Sequence, residues 1–166
     1  MRIRRTLSLT RLCLLAAALL SLALPLAAQS TTVDTAKMVS LMQACSYDFH
    51  TTSSPTVWTI HFTGTHLKDI KVVLALGGDA DSNLVIFVTV VEKRRMPVTT
   101  DFMRHLLEQN HALDQVKIGF DADGDLSVRT DASLRVADAE YLRNVVSQVK
   151  NSSDDLYGQI EPNLLP

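Results

Sequence analysis

Three short runs in the middle of the chain carry the pattern of β-strands: VWTIHFT from Val57, IKVVLAL from Ile70 and LVIFVTVV from Leu84. They are β-branched and aromatic, of strand length, and separated by Gly64-Thr65-His66 and by a stretch from Gly77 to Asn83, residue types that interrupt a strand and turn the chain. Short connections of this kind predict an antiparallel meander. In the first run Trp58, Ile60 and Phe62 share one face while Thr59, His61 and Thr63 share the other, as in a half-buried strand at or near a sheet edge. The third run is apolar on both faces. Leu84, Ile86, Val88 and Val90 point one way; Val85, Phe87 and Val91 point the other. Such a strand belongs in the middle of a sheet covered on both sides.

On either side of these runs the apolar period lengthens to that of a helix. Met38, Leu41, Met42 and Cys45 fall at i, i+3, i+4 and i+7, with Asp34 or Thr35 as the predicted cap and a loop at Ser53-Ser54-Pro55. A second helix is predicted from about Thr100 to His111, with Phe102, Met103, Leu106 and Leu107 as its stripe. The segment from Gln115 to Gln148 then organises the rest. Val116, Ile118 and Phe120 alternate with polar positions, the turn falls at Asp123-Gly124, and Leu126 and Val128 resume the alternation. Asp-Gly between alternating runs predicts a hairpin, because glycine accepts the positive φ such turns require. Asp138 is the predicted cap of a last helix striped by Leu142, Val145, Val146, Val149 and Leu156. The order is α-β-β-β-α-β-β-α. It predicts an α+β fold, a five-stranded and mainly antiparallel sheet with helices packed on it.

The N-terminus changes the compartment. Arg2, Arg4, Arg5 and Arg11 precede an apolar run from Leu12 to Leu24, and Pro25 and the small Ala27 and Ala28 follow. That is the layout of a Sec-type signal peptide with cleavage after Ala28, so residues 1–28 are read as the signal and 29–166 as one domain in the periplasm or outside the cell. The run is shorter than a spanning helix needs, and no stable membrane insertion is expected after cleavage. Of the 16 Lys and Arg and 18 Asp and Glu, cleavage removes four bases and no acid, leaving 12 against 18, a net charge of −6. An acidic chain with scattered bases argues against nucleic acid as a partner. Cys45 is left alone in the mature chain, unable to form an internal disulfide, and on the apolar side of its helix it reads as a small buried hydrophobe.

Candidate chemistry is sparse. Asp121, Asp123 and Asp125 space oxygens as a calcium loop would, but the positions that would need glycine and glutamate hold Leu126 and Ala132. A solvated hairpin turn accounts for the acids. His105 and His111 diverge around a helix, and His50, His61 and His66 form no zinc spacing with them. No serine stands in a nucleophile elbow, and Gly77-Gly78 lacks the lysine of a phosphate loop. Asp101 and Glu108 sit too far apart along one helix to act as a pair, and Lys93-Arg94-Arg95 reads as a charged strand exit. No catalytic, cofactor or metal residue is therefore assigned.

The helix ending LLEQN at Leu106–Asn110, the strand VKIGFD at Val116–Asp121, the turn ADGDL at Ala122–Leu126 and the run DAEYLRNVVSQV at Asp138–Val149 together resemble the YbjN-like family. That family is described as bacterial sensory transduction regulators with a type III secretion chaperone-like fold. The likeness covers most of residues 35–157, with Trp58 where such proteins place an aromatic. It implies dimers that hold partner segments on apolar surfaces, and it transfers no catalytic residue. The export signal departs from the cytoplasmic chaperones of that fold.

The resulting expectation is an exported, non-catalytic protein-binding module. Val73, Val85, Phe87 and Val91 are its expected interaction face, since an uncovered apolar patch of that kind normally meets a partner. The partner is expected to be a protein, a second copy in a homodimer or another envelope protein. The alternative is a small-ligand or lipid carrier with the same surface curved into a pocket.

Overall fold

The computed structural model describes residues 26–77 and 83–166. The signal-peptide reading falls almost wholly on residues 1–25, outside the described residues, as does most of the turn read between the second and third strands, residues 78–82. Asp34–Pro166 forms one unit.

Along that unit the elements are α1 (Leu26–Ala44, whose last part from Asp34 belongs here), β1 (Phe49–Thr51), β2 (Val57–Phe62), β3 (Ile70–Leu76), β4 (Asn83–Val91), α2 (Thr100–Ala112), β5 (Lys117–Phe120), β6 (Leu126–Ser133) and α3 (Ala139–Ile160). Short 3₁₀ turns at Lys93–Arg95 and Glu161–Asn163 follow β4 and α3. The α+β class holds, but among the described residues the sheet has six strands where five were expected. The additional strand, β1, pairs Phe49, His50 and Thr51 with Ile60, Thr59 and Trp58. Three residues are too few to show an alternation, so pairing alone makes it a strand. A second correction concerns α1, which starts at Leu26. Asp34 and Thr35 therefore lie within the helix and do not cap it. Its predicted stripe holds: Met38 and Met42 are fully buried and Cys45 nearly so. Ser46, with φ 59°, ends it in the left-handed conformation.

The sheet runs β1-β2-β3-β4-β6-β5, every pair antiparallel. β2, β3 and β4 form the expected meander, and β4 is central. The late hairpin joins it through its second strand, so β6 lies against β4 and β5 becomes an edge. The hairpin turn is built by Asp121. Its backbone pairs with Asp125 and Gly124, and its carboxylate accepts the amides of Asp123 (3.0 Å) and Asp125 (2.9 Å). Gly124 supplies the positive φ, 86°.

One face of the sheet is the core. Trp58, Ile60, Val72, Leu74, Leu84, Ile86, Val88, Leu126 and Val128 are all buried. α3 crosses β3, β4 and β6 on that side, burying the five predicted stripe residues and also Ile160. Each such aliphatic side chain stabilises by roughly 1.5–3 kcal/mol before entropy. Asp138 caps α3 as predicted, accepting the Tyr141 amide at 2.8 Å. α1 is tied beside α3: Lys37 Nζ donates to the carbonyls of Leu134 (2.5 Å) and Arg135 (3.1 Å), and Cys45 Sγ donates to that of Ala139 at 3.2 Å. α2 packs at β5, where the Asn110 side-chain oxygen accepts the Ile118 amide at 2.8 Å.

Candidate protein-binding face

The opposite face of the sheet is where sequence placed the interaction surface. Register lines up one row across all six strands: His50, Thr59, Val73, Phe87, Arg129 and Lys117. A second row runs Val57, Ala75, Val85 and Asp131. At the centre Val73, Ala75, Val85 and Phe87 are half-buried, while His50, His61, Lys71, Thr89, Lys117, Arg129 and Asp131 around them are exposed. The result is an apolar middle with a polar rim, open to water. A Cβ added to Gly119, on β5 of this face, would meet nothing within 4 Å.

Val73, Val85 and Phe87 are therefore brought together as read, while Val91 is buried at the strand end and reaches only the wall of a concavity there. A register shift between Thr89 and Val91 sets Val91 opposite Leu126, a fully buried core residue. Such a bulge places two residues of one strand against one of its neighbour, so Val90 and Val91 both turn inward, 6% and 2% exposed. The bulge also bends the strand end, and there the face deepens into a concavity of about 510 Å³. Lys71, Val73, Thr89, Val91, Arg94 and Asp125 are among the residues around it.

The polar rim is partly self-paired. Arg129 Nη2 meets Asp131 Oδ1 at 2.6 Å, and His61 Nδ1 meets Asp69 Oδ1 at 2.8 Å. The His50 and His61 rings lie 6.5 Å apart. Exposed pairs of this sort contribute little to stability, on the order of 0–1 kcal/mol. They set the charge pattern that an arriving surface would meet.

Other residues weighed in the sequence are dispersed. Of the Asp121–Asp125 acids, Asp121 spends its carboxylate on its own turn and Asp125 accepts the Lys93 amide at 2.8 Å. Arg94 pairs with Glu92, and Arg104 with Asp101. Among the described residues no three His, Cys, Asp or Glu side chains stand together as a metal set. None of the described helices is long and apolar enough to cross a membrane. Burial pushes the Cys45 thiol up, against an opposing pull from Arg143. Burial, with Cys45 alongside, pushes Tyr47 up to about 12.

The sequence reading missed Asp154. It lies on α3 between Val149 and Leu156 of the recognised stripe and is only 8% exposed. Its carboxylate accepts three consecutive amides of the β2–β3 loop, Thr65 (2.7 Å), His66 (2.9 Å) and Leu67 (2.7 Å). Burial by itself would raise this carboxyl, but the amides of Leu67, Thr65 and His66 outweigh it and hold the group below the usual aspartate range. Asp154 thus fastens the edge half of the sheet to α3, and its role is structural.

Comparison with known proteins agrees on the fold. No family model matches the chain, and no curated protein matches it in sequence. Among solved structures the chain is similar to the ExsC–ExsE complex (TM-score 0.51, 12% identity, 79% of this chain and 94% of that one). It is also similar to the Yersinia pestis type III secretion chaperone SycH, solved with a stable fragment of YscM2 (TM-score 0.51, 13% identity, 74% of this chain and 98% of that one). At such identities the likeness shows the fold alone. The six-stranded α+β fold is similar to that of the type III secretion chaperone SycH.

Proposed function

We propose that this protein is an exported, non-catalytic protein-binding module of the YbjN type, holding a partner against the open face of its sheet. The observation that carries the reading is the row Val73–Phe87, with Ala75–Val85 beside it. These apolar residues sit at the centre of a six-stranded sheet and remain accessible to water. An antiparallel sheet commonly leaves one face to solvent, but that face is then polar; here its centre is apolar, the mark of a surface that meets a partner. Two solved structures of similar fold, ExsC–ExsE and SycH with its YscM2 fragment, are themselves complexes with protein partners, and that supports the same use of the scaffold here. A second copy of the chain is the first partner we propose, in a homodimer, with an envelope protein as a further one. The N-terminal sequence pattern supports export to the periplasm or beyond.

A photo-reactive amino acid tests this in intact cells. Placed at Phe87, on the open face, it should capture a protein; placed at Glu108, on an exposed part of α2, it should capture none. Equal capture at both positions, or capture at Glu108 only, overturns the assignment of this face.

A further inference from the structure

We infer that a second site, separate from the sheet face, binds a neutral polyhydroxylated ligand such as an oligosaccharide. The site is the cleft of about 370 Å³ between α3 and the turn that leads into β5, lined by Gln115, Tyr141, Asn144, Ser147, Gln148 and Asn151 over Val145. On α3 these residues fall at spacings of three and four, so they form one continuous stripe beside the buried one. Polar residues on a helix flank are ordinarily a solvated face. Three observations set this flank apart.

The first is an acceptor without a donor. Gln148 Oε1 is buried and makes no hydrogen bond. A buried carbonyl left unpaired is unfavourable by about 1–3 kcal/mol; the atom is shut off from solvent, so a ligand hydroxyl would relieve it once the carboxamide turns into the cleft. The second is strain at Gln115. Its φ is 56°, and the Val116 amide closes a three-residue turn on the Asp114 carbonyl at 2.5 Å. A three-residue turn with positive φ is the rare, strained form, and such outliers concentrate where a side chain must be held for binding. The conformation is enforced from the sheet, because the largely buried Thr130 donates its hydroxyl to the Gln115 carbonyl at 2.8 Å. Glycine would occupy this turn without strain; a glutamine there delivers a carboxamide to the cleft.

The third is the choice of lining. In a chain one-fifth charged, none of the seven residues is. A charged ligand would find no counter-charge. Carboxamides pair a donor with an acceptor at one planar head, which suits the vicinal hydroxyls of a sugar, and the half-open ring of Tyr141 (37% exposed) offers a surface for the ring's C–H face. An extended peptide would also offer donors and acceptors. It would need a long groove or a free strand edge to use them, and this cleft is short and walled by a helix. The sugar is the better fit.

The test uses the full mature chain labelled with ¹⁵N and titrated with maltotriose, cellotriose and N,N′,N″-triacetylchitotriose. At least one should shift the side-chain amide signals of Gln115, Asn144, Gln148 and Asn151 and leave the backbone amide signals of Val73 and Phe87 on the sheet face unmoved. Gln115→Gly should keep the fold and weaken binding about tenfold or more, and Asn144→Ala, at an exposed position, should do the same. No shift at these amides with any of the three sugars at millimolar concentration overturns the proposal. So do shifts produced only by an uncharged peptide, or binding that Gln115→Gly and Asn144→Ala leave intact.

Discussion

The carboxylate of Asp154 and the amide of Leu67 meet at 2.7 Å across 87 residues of chain. With the Thr65 and His66 amides on the same carboxylate, the contact joins the β2–β3 loop to α3 at a buried point. Asp154→Ala would leave three amides without their acceptor and should lower stability by about 2–4 kcal/mol. The group's folded pKa lies below its ordinary value. Its contribution is therefore complete above the unfolded aspartate pKa, near 4, and is lost as pH falls through the lower folded pKa. Urea titrations from pH 7 down to pH 3 should show Asp154→Asn less stable at neutral pH, with the difference shrinking in acid.

Two glycines near this contact should respond differently to alanine. At Gly64 an added Cβ would run into Asp154 Oδ1 and lie 2.7 Å from Ile70 Cδ1, both in the packed interior. At Gly158 it would meet the His66 ring at 2.6 Å, but His66 is exposed and can swing aside. Helix propensity favours alanine over an interior glycine by about 1 kcal/mol. Gly64→Ala should thus lower the melting temperature by several degrees or more, about as much as Asp154→Ala, while Gly158→Ala should stay within about 1 kcal/mol of the parent chain. Thermal unfolding followed by circular dichroism distinguishes them.

Asn110 occupies the free edge of β5 through its bond to the Ile118 amide. Asn110→Ala should cost about 1 kcal/mol and raise hydrogen exchange at Ile118 well above that at Val128, its neighbour across the β5–β6 pair. An edge amide left open is also a template for strand pairing between chains, so the variant should aggregate more readily on heating.

Cys45 is buried, its thiol raised by that burial and bonded to the Ala139 carbonyl. The thiolate is the reactive form. Iodoacetamide at pH 8 should therefore label the native chain slowly, and labelling should accelerate sharply once urea unfolds it.

Much of this architecture could be read from the chain because it rests on periodicity. The α3 stripe, the Asp138 cap, the meander and the Asp-Gly turn each announce themselves over a few neighbouring residues. What escaped depends on partners distant in sequence. β1 is a strand only because Trp58–Ile60 lies beside it. Asp154 looks like any acid on a helix flank until the loop amides arrive 87 to 89 residues away. Val91 continued a clean alternation with Val85 and Phe87, and a bulge of one residue reversed it. The asparagine of LLEQN was visible as a motif member, while its purpose as an edge cap needed β5 in place.

The sheet face carries the functional account, and Phe87 stands at its centre between Val73 and Arg129. Sedimentation velocity on residues 29–166 and on their Phe87→Asp variant, with circular dichroism alongside, tests that account most directly. The parent chain should sediment as a dimer and Phe87→Asp as a folded monomer, since an aspartate on an accessible face leaves the core beneath it undisturbed. A parent chain that is monomeric at every concentration, or a Phe87→Asp chain that loses its fold, would contradict it.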